Sequence, residues 1–145
     1  HGAFVLSQLP HYGYTGRSMP HVIALVDDLM ALSRIREAAR AAGAEVRAAR
    51  RVEEAAAGVR EGARLVLVDA DASRLPWPEA VAAVRRDGPA GLPVVAFFSH
   101  VHAERAAAAR AAGCTRVLAR SAFALELPTL VAAAAARPAP EETSP

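Results

Sequence analysis

The sequence contains no lysine, so each of its 17 basic residues is an arginine. With 15 acidic residues the formal charge is only +2, which is too balanced for the strongly basic surface of a typical nucleic-acid-binding protein. The arginines between residues 34 and 51 alternate with glutamates, as they do on solvated helix faces. We therefore expect no nucleic-acid partner.

Cysteine and long apolar runs are also scarce. The single cysteine, Cys114, excludes an intrachain disulfide and a thiolate zinc cluster, and we expect it to be a small buried residue. No apolar run approaches the roughly 20 residues that a bilayer crossing needs, and no charged segment followed by a long apolar stretch opens the chain. These absences predict a cytoplasmic protein that does not enter the membrane.

The length of 145 residues suits one domain of ordinary size. Residues 1–18 hold both tyrosines and no acidic residue, and they lack periodicity, so we predict a leader that is disordered or foreign to the native protein. The domain is predicted to span residues 19–136. Residues 137–145, with three prolines and two glutamates, are predicted to form a disordered tail, and the domain is expected to act alone.

Five short apolar runs alternate with alanine-rich segments of helical spacing, the pattern of repeated βα units. Glycines follow three of the predicted helices, where glycine adopts the left-handed backbone conformation without steric strain. Continuously apolar strands are typical of a parallel sheet that helices cover on both faces. We predict a five-stranded, doubly wound, flavodoxin-like (βα)5 domain. The predicted strands are 22–26, 45–48, 65–68, 94–98 and 116–119, and the predicted helices are 29–42, 52–61, 77–86, 102–112 and 123–136.

Acidic residues end two of the predicted strands: Asp27 and Asp28 follow the first, and Asp69 follows the third. The carboxyl ends of parallel strands form the usual functional crevice of such sheets. Three carboxylates there would raise one another's pKa unless a cation bound among them, which favours a hard divalent ion such as Mg²⁺. The alternative is that the three acids lie in separate solvated loops.

Four motifs then resemble the response-regulator receiver family over about residues 20–135. They are Val-Asp-Asp at 26–28, Leu-Val-Leu-Val-Asp at 65–69, Leu-Pro-Val-Val at 92–95, and Ala-Ala-Gly-Cys-Thr-Arg-Val-Leu at 111–118. The resemblance implies that Asp69 is the phosphoacceptor, that Asp28 binds Mg²⁺ directly and that Asp27 acts through water. It also implies a signalling partner such as a histidine kinase, a docking face from the fourth strand to the fifth helix, and a monomer or weak homodimer.

Several positions depart from that family pattern. The lysine expected at the end of the fifth strand is Arg120, whose planar guanidinium does not mimic a compact ammonium. The proline expected next is Ser121. The hydroxyl residue expected to end the fourth strand is replaced by Phe98, with Ser99 one residue later, and a slip of one residue turns a side chain to the other face. The aromatic switch position of the fifth strand is matched by Val117.

Asp71 would add a further carboxylate beside Asp69 and oppose a phosphoryl dianion there. Together these departures predict a degenerate, non-enzymatic receiver-like module that acts through protein–protein contacts, with weak or absent phosphorylation. The alternative is a functional phosphoacceptor that uses Asp69 with Mg²⁺, in which Ser99 and Arg120 assist.

A different class remains open, because Asp69 and Asp71 also fit the D-x-D pattern of haloacid-dehalogenase-type phosphatases, as nucleophile and as general acid or base. His100 and His102 could contribute to a metal site, although exposed loop residues are the simpler interpretation. Trp77 could anchor a partner, but packing at the start of a helix is the commoner role.

Overall fold

The computed structural model describes residues 19–136. The predicted leader and tail lie outside the described residues. Strands and helices alternate along the described chain, as the apolar periodicity predicts. In order they are β1 (Val22–Leu25), α1 (Leu29–Ala42), β2 (Val46–Ala48), α2 (Val52–Arg60), β3 (Leu65–Asp69), α3 (Trp77–Asp87), β4 (Val94–Phe98), α4 (Ala103–Ala112), β5 (Arg116–Ala119) and α5 (Arg120–Ala136).

All strand pairs in the sheet are parallel, and the strand order is β2-β1-β3-β4-β5. The predicted five-stranded, doubly wound α/β fold is therefore confirmed. The central strands β1, β3 and β4 are buried along their whole length, which accounts for their continuously apolar sequences. Because β3 lies between β1 and β4, the acids that follow β1 and end β3 come to the same edge of the sheet.

Two apolar cores lie on opposite faces of the sheet, since successive strand residues point to opposite sides. One core joins the sheet to α1 and α5 and contains Phe97 and Phe123. The other joins it to α2, α3 and α4 and contains Phe98 and Val81. Neighbouring phenylalanines of β4 thus belong to different cores. Within residues 19–136, no helix is long and apolar enough to cross a membrane.

The helix and strand boundaries agree with the predictions to within one residue, except at α5. This helix begins at Arg120, three residues before the predicted start at Phe123, directly after β5 ends at Ala119. No turn residue separates the two elements. Ser121 is consequently a helical residue, and no cis peptide bond occurs in the described chain.

Candidate functional site

Asp69 is the centre of the candidate site. It is the last residue of β3 and only 2% exposed, and it is the one charged or polar residue in the buried set of the described chain. Its Oδ1 accepts a hydrogen bond from the backbone N–H of Asp71 at 3.1 Å. A buried carboxylate at the carboxyl edge of a parallel sheet needs positive charge or donors nearby, and both are present.

The positive charge comes from Arg120, the first residue of α5. Its guanidinium nitrogens lie 3.4 Å from Asp69 Oδ1, 3.6 Å from Asp28 Oδ2 and 3.8 Å from Asp71 Oδ2. The centre of the guanidinium also lies 5.0 Å from the ring centroid of Phe97. One guanidinium therefore contacts three carboxylates, from the segments that follow β1 and end β3, while resting on an aromatic ring.

Asp28 has two tasks. It is the N-cap residue of α1, and its Oδ1 accepts from the backbone N–H of Met30 at 2.9 Å, which satisfies one of the free amides at the helix start. Its Oδ2 faces Arg120. Asp27 is half-buried beside it, and its charge raises the pKa of Asp69.

Asp71 connects the loop after β3 to the loop after β4. Its Oδ2 accepts from the backbone N–H of Ser99 at 2.6 Å, and its Oδ1 lies 3.5 Å from the guanidinium of Arg105 in α4. Arg105 in turn lies 4.8 Å from the ring centroid of Phe98. The added carboxylate that the sequence predicts as a source of repulsion is thus held by a backbone donor and two arginines.

The two aspartates that end and follow β3 have opposite pKa shifts. Burial raises the pKa of Asp69 above its ordinary value, and the donated hydrogen bond from Asp71 and the charge of Arg120 offset this only partly. Burial also acts to raise the pKa of Asp71, but hydrogen bonds from Ser99 and the charges of Arg105 and Arg120 outweigh it, so that pKa is lowered. Asp71 is therefore the more firmly ionised of the two.

A divalent metal ion does not fit this arrangement. The oxygens of Asp28 and Asp69 that a cation would need face the guanidinium of Arg120. Among residues 19–136, no group of three or more histidines, cysteines and carboxylates is placed to hold a metal ion. The predicted cluster of Asp27, Asp28 and Asp69 lies at one edge of the sheet, but an arginine takes the cation's part in it.

Comparison with known proteins gives matches by structure only. Neither a family model nor a curated protein matches the sequence significantly. Among solved structures, 130 chains match. A response regulator from Hahella chejuensis is 19% identical with a TM-score of 0.66, over 79% of this chain and 94% of that chain. The phosphorylated cyanobacterial phytochrome response regulator RcpA is 20% identical with a TM-score of 0.59, over 80% and 91%. Chemotaxis protein CheY4 of Vibrio cholerae is 23% identical with a TM-score of 0.61, over 71% and 88%.

The chain has the fold of response-regulator receiver domains. This agrees with the resemblance in the sequence motifs and with the observed strand order. In this receiver fold the acidic cluster, Arg120 and the loop after β4 occupy one end of the sheet, as the motif order predicts.

The position that ends β4 in the receiver fold cannot supply a hydroxyl group here. The Phe98 side chain is buried in the core under α2, α3 and α4, away from solvent. Ser99 follows β4, and its backbone N–H donates to Asp71. A hydrogen bond from the Ser99 side chain also acts to lower the pKa of Asp71. Val117 packs, partly buried, against the same core as Phe98. These placements agree with the departures noted in the sequence.

Other singled-out residues lie outside the cluster. His100 and His102 are exposed, and His102 is the N-cap residue of α4. Trp77 begins α3 and packs, partly buried, against the core. Cys114 is buried, and burial raises the pKa of its thiol to about 11. None of these residues contacts the acidic cluster through a hydrogen bond or ion pair recorded for residues 19–136.

Sequence reasoning missed two contributors, Phe97 and Arg105. The sequence identifies Phe97 only as a strand residue, yet its ring supports the guanidinium of Arg120. Arg105 lies in an alanine-rich helix with nothing local to distinguish it from other surface arginines. Helical spacing does place Arg105 in the first turn of α4, next to the loop that carries Ser99, and this was the available signal.

Proposed function

We propose that this domain is a degenerate receiver-like signalling module, which acts by binding another signalling protein and not by turning over a substrate. In this proposal Asp69 is phosphorylated weakly or not at all. Arg120 serves as a permanent counter-ion for the acidic cluster, so the pocket needs no Mg²⁺ to keep its carboxylates together. A histidine kinase is one candidate partner class, as the family resemblance implies.

The observation that carries the proposal is the bridging position of Arg120. Its guanidinium contacts Asp28, Asp69 and Asp71 at 3.4–3.8 Å. A phosphoryl donor would have to approach a carboxylate that is 2% exposed and flanked by a second ionised aspartate. Since phosphoryl transfer depends on positioning and on cations at the equatorial oxygens, the crowded pocket disfavours it.

A protein-binding role is supported by exposed apolar side chains in the part of the fold from β4 to α5. Leu125 on α5 is 83% exposed, and Val101 in the loop after β4 is also exposed. The Arg116 side chain of β5 makes a two-pronged ion pair with Glu126, at 2.7 and 3.1 Å, which joins β5 to α5. The proposed docking face, from β4 to α5, thus combines exposed apolar residues with an ion pair between β5 and α5.

The decisive test is the intact mass of the protein after incubation with acetyl phosphate and Mg²⁺, with Asp69→Ala as the matched control. We expect no phosphoryl adduct on the unmodified protein and no accumulation of free phosphate above the control. A single adduct that is absent from the control would instead establish the functional phosphoacceptor and refute the degenerate module.

Continuous release of phosphate, without a stable adduct, would favour the phosphatase alternative. The lowered pKa of Asp71 argues against the general-acid role, because a general acid must hold a proton near neutral pH. Asp71 also has its two oxygens engaged by Ser99, Arg105 and Arg120. Comparing phosphate release between the unmodified protein and Asp71→Asn would test this assignment directly.

A further inference from the structure

A cavity of about 590 Å³ lies between α1 and α5, next to the acidic cluster. Its inner end is formed by Phe97 and Arg120, and its outer part by the facing surfaces of the two helices. A volume of this size falls within the usual range for small-molecule sites. The cavity shares Asp28 and Arg120 with the acidic cluster, and the rest of its lining comes mainly from α1 and α5.

We propose that this cavity binds an uncharged, flat, largely apolar molecule that carries a hydrogen-bond acceptor. The first reason is the shape and chemistry of the walls. Phe97 and Phe123 stack at the floor, with ring centroids 4.1 Å apart and an interplanar angle of 22°. Ala38 on α1 and Ala124 on α5 face the same space, and such short side chains leave room for a flat body between the helices.

The second reason is the balance of charge. Four charged residues line the cavity, two acidic and two basic, so their formal charges cancel: Asp28, Glu37, Arg34 and Arg120. The inner pair, Asp28 and Arg120, already face each other at 3.6 Å. A ligand with a net charge would meet one repulsive neighbour for each attractive one, whereas an uncharged ligand incurs no such cost and needs little desolvation.

The third reason is that groups at the inner end of the cavity and on its α5 wall can form further hydrogen bonds. A guanidinium has five N–H donors, and Arg120 makes one hydrogen bond to the described residues, at 3.4 Å to Asp69. A carbonyl or ether oxygen of the ligand can accept from the remaining donors. On the α5 wall, Pro128 has no N–H, so the carbonyl oxygen of Ala124 lacks its usual helical partner and can accept from a ligand hydroxyl.

Arg120 belongs to both the cavity and the acidic cluster. A ligand that accepts from Arg120 would therefore alter the guanidinium that holds Asp28, Asp69 and Asp71, which gives the module an input other than phosphorylation. The binding step itself does not depend on the proposed signalling function. Failure of dye binding would therefore contradict the ligand site alone, and phosphorylation of Asp69 would contradict the degenerate module alone.

The test uses Nile red, an uncharged flat dye with a carbonyl acceptor, and follows its fluorescence on titration with the purified protein. We expect one saturable site with blue-shifted emission. Ala124→Trp and Ala41→Trp fill the cavity from opposite walls and should weaken binding about tenfold or more. Ala133→Trp, at an exposed α5 position that does not line the cavity, is the matched control and should bind as the unmodified protein does.

Arg120→Met keeps an apolar side chain of similar length and removes the donors, so it should weaken dye binding about fivefold, the value of one ordinary hydrogen bond. Circular dichroism of each variant establishes that it is folded. Equal dye binding by Ala124→Trp, Ala41→Trp and the control would overturn the site, since the dye would then lie on an exposed apolar patch. Absence of saturable binding, or stronger binding of the anionic dye anilinonaphthalene sulfonate, would overturn the proposed ligand class.

Discussion

At the residue scale, the difference between an arginine and a lysine decides the character of the acidic site. The guanidinium of Arg120 is flat and wide enough to lie near three carboxylates while its face rests on Phe97. A compact ammonium would approach fewer oxygens and leave space for a second cation. A single side chain thus occupies the electrostatic role that the family resemblance gives to a lysine together with Mg²⁺.

Removal of that guanidinium should create metal affinity. In Arg120→Met the carboxylates of Asp28 and Asp69 lose their shared counter-ion and repel each other, so a divalent cation should bind among them. We expect calorimetric titration with Mg²⁺ to show binding at least about tenfold tighter than in the unmodified protein.

Arg110→Met, an equivalent change on the exposed side of α4, is the control and should not alter Mg²⁺ binding. Equal Mg²⁺ affinity of the unmodified protein and Arg120→Met would show that Arg120 does not act as the counter-ion.

At the element scale, the boundaries of most strands and helices follow from local sequence. Apolar runs of four or five residues and glycines after α1, α2 and α4 predict them well, because these signals act within a few residues. The start of α5 could not be predicted in the same way. Arg120 and Ser121 resemble loop residues, yet they form the first turn of a helix that is held by the packing of Phe123 and Leu127 on the sheet.

Helix α2 contains a glycine for a reason that helix propensity alone does not reveal. A Cβ at Gly58 would lie 2.2 Å from Cδ1 and 2.9 Å from Cγ1 of the buried Ile23 side chain. The absence of a side chain therefore lets α2 approach β1 closely. Ile23 is fully buried in the core under α2, α3 and α4, so it cannot move aside freely.

Gly58→Ala should therefore destabilise the protein by about 1–3 kcal/mol through overpacking, although alanine is the better helix former. Gly91→Ala is the matched control, since a Cβ there meets no atom within 4 Å, and it should leave stability nearly unchanged. Urea unfolding of both variants measures the difference. A Gly58→Ala protein as stable as the control would mean that Ile23 repacks without cost.

At the scale of the whole molecule, the order of βα units and the burial of the strands suffice to predict the sheet and to bring Asp28 and Asp69 to one edge. Local sequence patterns do not predict which side chains neutralise these two carboxylates. The reach of Arg120 depends on α5 starting without a turn, and the role of Arg105 depends on the placement of α4. Both are consequences of long-range packing, so local patterns carry little information about them.

The stability of the whole domain should respond oppositely to the removal of its two site aspartates. The pKa of Asp69 in the folded protein is raised above the ordinary value of 3.8. Ionisation of this group therefore lowers the free energy of unfolding as the pH rises from 3.8 through the folded pKa. The folded pKa of Asp71 is lowered, so its ionised form contributes stability that is present above 3.8 and is lost as pH falls through the folded pKa.

We therefore expect Asp69→Asn to raise the melting temperature at pH 7 and Asp71→Asn to lower it. Asparagine keeps the shape of each side chain and an acceptor oxygen for the N–H groups of Asp71 and Ser99, so the charge is the main change. The Asp69→Asn difference should shrink as the pH falls through the raised folded pKa of Asp69 to 3.8. The Asp71→Asn difference should shrink as the pH falls from 3.8 through the lowered folded pKa of Asp71, because each aspartate then becomes uncharged as well. Thermal melts of the three proteins from pH 3 to pH 7 measure this. A loss of stability in Asp69→Asn at pH 7 would show that the attraction of Arg120 outweighs burial, and that ionised Asp69 is a net stabilising partner of the arginine.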